Sequence, residues 1–209
     1  PSLGGRYGIR YFNRHDFQCV RVPEKFDRLR ASARENGPSF VFAHFLLPHD
    51  PFVFRADGGC MSEAESAARD PVRNYVDQVM YTNSQILDLV DHLMRESKVQ
   101  PVIILQADEG PFPTEYKADP PAFDWTQASP DQLKRKSEIL NAYYLPDPEN
   151  TGLYPGITPV NTFRLILNRY FDASLPLLDD RVFAHPHEGD LYSFFDVTGV
   201  VRDDFTGSD

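Results

Sequence analysis

The chain has 209 residues, a formal net charge of −10 (21 Lys and Arg against 31 Asp and Glu) and 41% apolar residues. That length suits one α/β domain or a large piece of one, with ample core. An acidic balance without a basic stripe argues against a nucleic-acid partner, and no apolar run reaches bilayer length. The excess of acid reads first as a solvated surface and only second as metal-binding capacity. Cys19 and Cys60 match no zinc-site spacing, and one disulfide between them in an oxidising compartment stays open. No signal peptide opens the chain, and a start at Pro1 points to a processed or excised piece.

Residues 1–22 are rich in Gly, Arg and aromatics and show no period. Pro23 opens a predicted helix to Asn36, with Phe26, Leu29 and Ala33 on one face and Gly37-Pro38 as its stop. Residues 39–47 are continuously apolar and end at Pro48, which predicts a strand. Without polar alternation that strand is expected to be central, parallel and buried on both faces. Residues 50–70 read as a loop around Gly58-Gly59.

The strongest helix runs from its N-cap Asp70, through Pro71, to about Lys98. Val72, Val76, Val79, Ile86, Val90 and Leu93 form the face expected to pack on a sheet, with Asn83 interrupting it. Residues 102–107 are the second strand, joined to the first by a connection long enough for a parallel crossover. Residues 111–128 are a long loop dense in Pro and aromatics, expected to wall the strand ends. A charged helix over 131–138 follows Ser129-Pro130, then a third strand over 139–145. Thr158-Pro159 begins a helix to Tyr170, with Val160, Phe163, Leu167 and Tyr170 on one side. The tail holds short apolar pieces and closes in a polar stretch over 203–209, expected to be mobile.

This order outlines a βαβ unit that delivers His49 and Asp108-Glu109 to one sheet edge, where open α/β folds place their sites. A carboxylate directly after a buried strand and before Gly110 is well placed to ligate a metal, and Glu109 offers a second oxygen. Equally, one carboxylate would cap a turn while the other is solvated. His49 sits between Pro48 and Asp50-Pro51, where the backbone has little freedom. Such an imidazole binds an anion, donates a proton to a leaving group, ligates a metal, or is simply an exposed loop side chain. His44 lies within the first strand, in register with Phe40 and Phe42, and reads as a hydrogen-bonded core group. His185-Pro186-His187 reads as a solvated loop.

The segments FVFAHFLLPHDPF, YVDQVMYTNSQILDLVDHLM, VIILQADEGP, LNAYYLP and TPVNTFRLILNRYF, in this order, resemble the carboxyl-terminal half of bacterial sulfatase-like proteins. Those belong to the alkaline phosphatase/sulfatase superfamily, with lipoteichoic acid synthases and phosphoethanolamine transferases among the relatives. The resemblance spans roughly residues 23–183 by sequence reading. It implies a three-layer α/β/α sandwich with a largely parallel sheet over 23–202, and hydrolysis or transfer of a sulfate or phosphate ester, on a glycan or a lipid-linked group. It further implies one divalent metal on Asp108 and Glu109, His49 as the catalytic imidazole, and His44 and Lys117 as substrate contacts. Glu109 stands where the family has His or Asn, which favours Mn²⁺, Mg²⁺ or Ca²⁺ over zinc. The family's nucleophile precedes this region, so the alternative is a catalytically degenerate domain that binds glycans or anions. The resemblance also implies an extracytoplasmic domain on a membrane-anchored parent.

Overall fold

The computed structural model describes residues 14–147, 149 and 151–202. Of the irregular start expected over residues 1–22, residues 1–13 lie outside them, as does the polar tail over 203–209, and residues 14–22 are helical instead. The chain divides into two compact units, Pro1–Pro101 and Val102–Asp209.

In the first unit, α1 (Arg14–Ser32) begins nine residues before Pro23, which lies inside the helix. A proline there costs a main-chain hydrogen bond. Burial of Val22 and Phe26 on the same stretch offsets that loss. These two pack with Val53, Phe54, Tyr81 and Leu89 to form the core of the unit. A short helix α2 (Glu63–Ala67) opens with a capping box between Ser62 and Glu65. The long helix α3 (Pro71–Glu96) starts as expected, with the Asp70 carboxylate accepting from the Val72 and Arg73 amides. Arg30 ties α1 to α3 by donating to Asp88 and Gln85. Cys19 and Cys60 form a disulfide, joining α1 to a narrow antiparallel bridge between Phe54 and Cys60.

The second unit opens with β1 (Ile103–Gln106), pairing antiparallel with β2 (Asn141–Tyr144) in the register Ile103↔Tyr144 to Gln106↔Asn141. Between them lie α4 (Thr114–Ala118) and α5 (Pro130–Ser137), the latter held by a capping box between Ser129 and Gln132. After α6 (Pro159–Phe171) come the two-residue strands β3 (Phe183–Ala184) and β4 (Phe195–Asp196), also antiparallel, and α7 (Thr198–Arg202). Trp125, Leu133, Ala184 and Val197 form the core here. Asp180 is a polar hub that accepts from Tyr154 Oη, from the Thr158 amide and hydroxyl, and from buried Asn161. Burial alone would push its carboxyl up; the hydrogen bonds from Thr158, Tyr154 and Asn161 outweigh burial and hold it below the ordinary range.

The sandwich expectation is overturned. Among the described residues 46% are helical, and the two small sheets are two-stranded and antiparallel. The first expected strand, residues 39–47, enters no ladder among the described residues, and Phe40 and Phe42 are 78% and 80% exposed. An unbroken apolar run says that a segment can be buried and extended; it does not say which strand lies beside it or in which direction. The second and third expected strands do form, but as each other's antiparallel partner.

The helix faces are corrected in part: Ile86 and Leu93 of the face expected for α3 do pack against the core. α3 buries Asn74, Gln78, Tyr81, Thr82 and Leu89, while Val72, Val76, Met80 and Leu87 are exposed. Asn83 lies on the exposed side. α6 likewise buries Asn161, Thr162, Leu165 and Ile166 and leaves Val160, Phe163 and Leu167 more than a third exposed.

Removing the disulfide with Cys19→Ser and Cys60→Ser frees a sequence separation of 41 residues and is expected to cost about 3–4 kcal/mol on the loop-entropy scale. The urea midpoint of α1–α3 helicity by circular dichroism measures this. In the second unit, hydrogen bonds from Thr198 and Arg181 hold the Asp196 carboxyl down at about 2, below its ordinary 3.8. A depressed carboxyl contributes stability that is complete above the unfolded value and is lost as pH falls through the folded one. Acid unfolding of this unit, read from Trp125 emission, is therefore expected to steepen between about pH 4 and 2. Asp196→Asn is expected to flatten that dependence.

Candidate functional site

The expected site residues fall into both units, and each group is described within its own. In the first unit, His49 follows a turn in which its amide donates to the Leu46 carbonyl at 2.7 Å. Its shape is set from below by Gln78 on α3, whose side chain is fully buried. The Gln78 carbonyl oxygen accepts from the Val53 and Phe54 amides at 2.8 and 3.3 Å. Its NH₂ is shared among the carbonyls of Pro48, His49 and Pro51 at 3.2, 2.9 and 3.4 Å. One amide side chain thus satisfies the main chain on both sides of the Pro-His-Asp-Pro stretch, as buried polar groups require.

The His49 ring itself is largely exposed. Its Nδ1 lies 2.7 Å from the Asp50 carbonyl oxygen and 2.6 Å from Asp50 Oδ1. Both neighbours only accept, so Nδ1 carries the proton and Nε2 is the chemically available nitrogen. Among the described residues no protein group bonds Nε2. The neighbouring candidate, His44, is not a core group. Its side chain is exposed, and its carbonyl oxygen accepts from Lys25 Nζ at 2.8 Å.

In the second unit, Asp108 and Glu109 follow β1 as expected, and both are exposed. Asp108 Oδ1 accepts from the Glu109 amide at 3.0 Å, a local turn cap. Glu109 pairs with Lys136 at 2.8 Å. That ammonium is itself mostly buried, lying 4.3 Å from the Phe112 ring centre and 5.0 Å from that of Trp125. A cation over aromatic faces is attracted to them and loses hydration, so a nearby carboxylate is its natural complement. Gly110 seats this loop on the end of α5. Its amide donates to the Lys136 carbonyl at 2.7 Å, and a Cβ there would lie 1.8 Å from the Arg135 carbonyl oxygen.

Lys117 stands exposed in the last turn of α4. His185 and His187 are half-buried rather than solvated, and their Nδ1 atoms bond main-chain carbonyls. Nearby, burial and a hydrogen bond to Glu188 push the Tyr116 hydroxyl up to about 12.

A divalent metal needs several oxygen ligands. Glu109 is committed to Lys136, Asp108 caps its own turn, and among the described residues no group of three His, Cys, Asp or Glu is disposed to hold an ion. The donor set as folded therefore does not fit the metal that the resemblance implies.

Gln78, which holds the main chain around His49, is the residue that sequence reasoning missed. A signal was present: Asn74, Gln78 and Thr82 recur at four-residue intervals, a polar stripe in an otherwise apolar helix. Compared with known proteins, the chain matches no family model, no curated protein and no solved structure.

Gln78→Ala is expected to cost about 3–5 kcal/mol, because it strands main-chain donors and acceptors that are buried together. Denaturant titration measures the loss. Hydrogen exchange is expected to quicken first at the Val53 and Phe54 amides.

Proposed function

We propose that this chain supplies one side of a sulfatase-like ester site, with His49 as its acid–base imidazole. The substrate class is a phosphate or sulfate monoester or diester on a glycan or lipid-linked group. The observation that carries the reading is the arrangement around His49: a main chain locked by Gln78, Nδ1 held between two oxygens of Asp50, and Nε2 open. An imidazole so oriented takes a proton through Nε2 from an attacking hydroxyl, or returns one to the leaving oxygen, without first changing tautomer. The nucleophile is assigned to polypeptide beyond this chain, and no step is assigned to a metal.

The second reading, a degenerate domain that binds anions or glycans without turnover, draws support from the Glu109–Lys136 pair. That pair removes the second metal ligand and neutralises the charge that would repel an anion. Under either reading the setting is extracytoplasmic, on a membrane-anchored parent. The Cys19–Cys60 disulfide supports an oxidising compartment, while no helix among the described residues is long and apolar enough to cross a membrane.

The test is hydrolysis of p-nitrophenyl phosphate and p-nitrophenyl sulfate by the whole gene product, with and without Mn²⁺. On the first reading His49→Gln lowers kcat by roughly 10²–10⁴-fold, the range for removal of a general acid–base group, with helicity unchanged. Absence of turnover, together with saturable phosphate-induced shifts of the His49 ring signals, supports the second. Neither turnover nor binding eliminates both.

A further inference from the structure

Asn36 and Gly37 are the one Asn-Gly pair in the sequence, just past the end of α1. Both are exposed and lie outside any helix or ladder. Lys98, from just beyond α3, donates through Nζ to Asn36 Oδ1 at 2.8 Å. An ammonium only donates, so the amide oxygen is the atom that faces it. Among the described residues Asn36 Nδ2 has no partner, and the Gly37 amide donates to no main-chain carbonyl. Gly37 has a φ of +92°, and a Cβ placed there would meet no atom within 4 Å.

We propose that Asn36 is a site of self-deamidation, in which the Gly37 amide nitrogen attacks the side-chain carbonyl carbon while Lys98 steadies the charge that develops on Oδ1. A base in solvent removes the Gly37 amide proton, and the freed electron pair forms a bond to Asn36 Cγ. The Cγ–Nδ2 bond then breaks, and the nitrogen leaves as ammonia with a proton from solvent. A five-membered succinimide remains. Water opens it by breaking the ring nitrogen's bond to Cγ, which gives aspartate, or its bond to the main-chain carbonyl carbon, which gives isoaspartate. In sum one amide and one water become one carboxylic acid and one ammonia, with nothing oxidised or reduced.

Two features of the site favour this course. Glycine has no Cβ to obstruct the approach of its nitrogen. Attack also moves negative charge onto Oδ1, and a cation already aimed at that atom stabilises the charged state more than the neutral amide. Asp57-Gly58 in the same unit has neither reactant available. Its Gly58 amide donates to the Arg55 carbonyl at 2.9 Å, and Asp57 Oδ1 accepts from the Gly59 amide at 2.9 Å. Cyclisation is therefore expected at Asn36 and not at Asp57.

The products change how the two helices are tied. Aspartate at position 36 converts a neutral hydrogen bond to Lys98 into an ion pair, beside the Arg34–Glu96 pair at 3.3 Å that already spans α1 and α3. Isoaspartate instead adds a methylene to the main chain between α1 and the residues that lead to His49.

The full chain, folded or in guanidinium chloride, is held at mildly alkaline pH while peptide mass spectrometry follows the amide-to-acid change at every Asn. Enzymatic methylation of isoaspartate identifies the second product. Asn36 is expected to convert ahead of every other Asn. Its rate in the folded chain is expected to exceed that in denaturant roughly five-fold, the effect of one charge in contact at solvent-like dielectric. Lys98→Met is expected to abolish that advantage and Lys98→Arg to keep it, with circular dichroism confirming that both variants fold. An Asn36 that stays intact in the folded chain overturns the proposal. So does a folded rate at or below the denatured one, or a Lys98→Met chain that reacts as fast as the original.

Discussion

The first unit depends on a single side-chain amide. Gln78 has no solvent contact, yet it meets main-chain donors and acceptors on both arms of the 48–54 stretch. Val53 and Phe54 are buried in the core beside it. Burying two such residues is worth about 1.5–3 kcal/mol each, but only if their amides are not stranded, since each buried unsatisfied group costs about 1–3 kcal/mol. The two effects are of the same size, so the gain from burying Val53 and Phe54 is kept only because Gln78 accepts from their amides. Through the Phe54–Cys60 bridge and the disulfide, the same constraint reaches α1.

The second unit uses a charge in the same supporting way. Lys136 is wedged over Phe112 and Trp125, and Glu109 closes over it. The carboxylate that looked like chemistry after a strand is the counter-ion of a desolvated ammonium. Gly110 enforces the arrangement, because its amide must approach the end of α5 more closely than any side chain permits. His49 and Glu109 thus play opposite parts. One is held rigid so that a ring nitrogen faces solvent, and the other spends its charge within the fold.

What the sequence revealed divides along the range of the interactions involved. The starts of α3 and α5 were readable because Asp70 and Ser129 cap over two or three residues, and that of α6 because Pro159 fits the first helical turn. The segments of β1 and β2 were readable as strands, but not their direction, which depends on a partner more than thirty residues away. Residues 39–47 failed as a strand for the same reason: they have the composition of one and no neighbour within the described residues. The helix faces held at Ile86 and Leu93 and failed at Val72 and Val76, because apolar spacing was followed where buried polar side chains decide. His49 was legible because two prolines frame it, whereas the fate of Glu109 rested on Lys136, 27 residues further on, with nothing local to announce it.

The grip of Gln78 on carbonyls and amides alone has an evolutionary corollary. Main-chain groups are common to all residue types, so the lock is indifferent to which side chains occupy the loop it holds. The side chain at position 49 can therefore change without loosening that grip, which reaches only the carbonyls of Pro48, His49 and Pro51. The residue that shapes the loop thus lies on α3, 29 residues along the chain from the imidazole the loop presents.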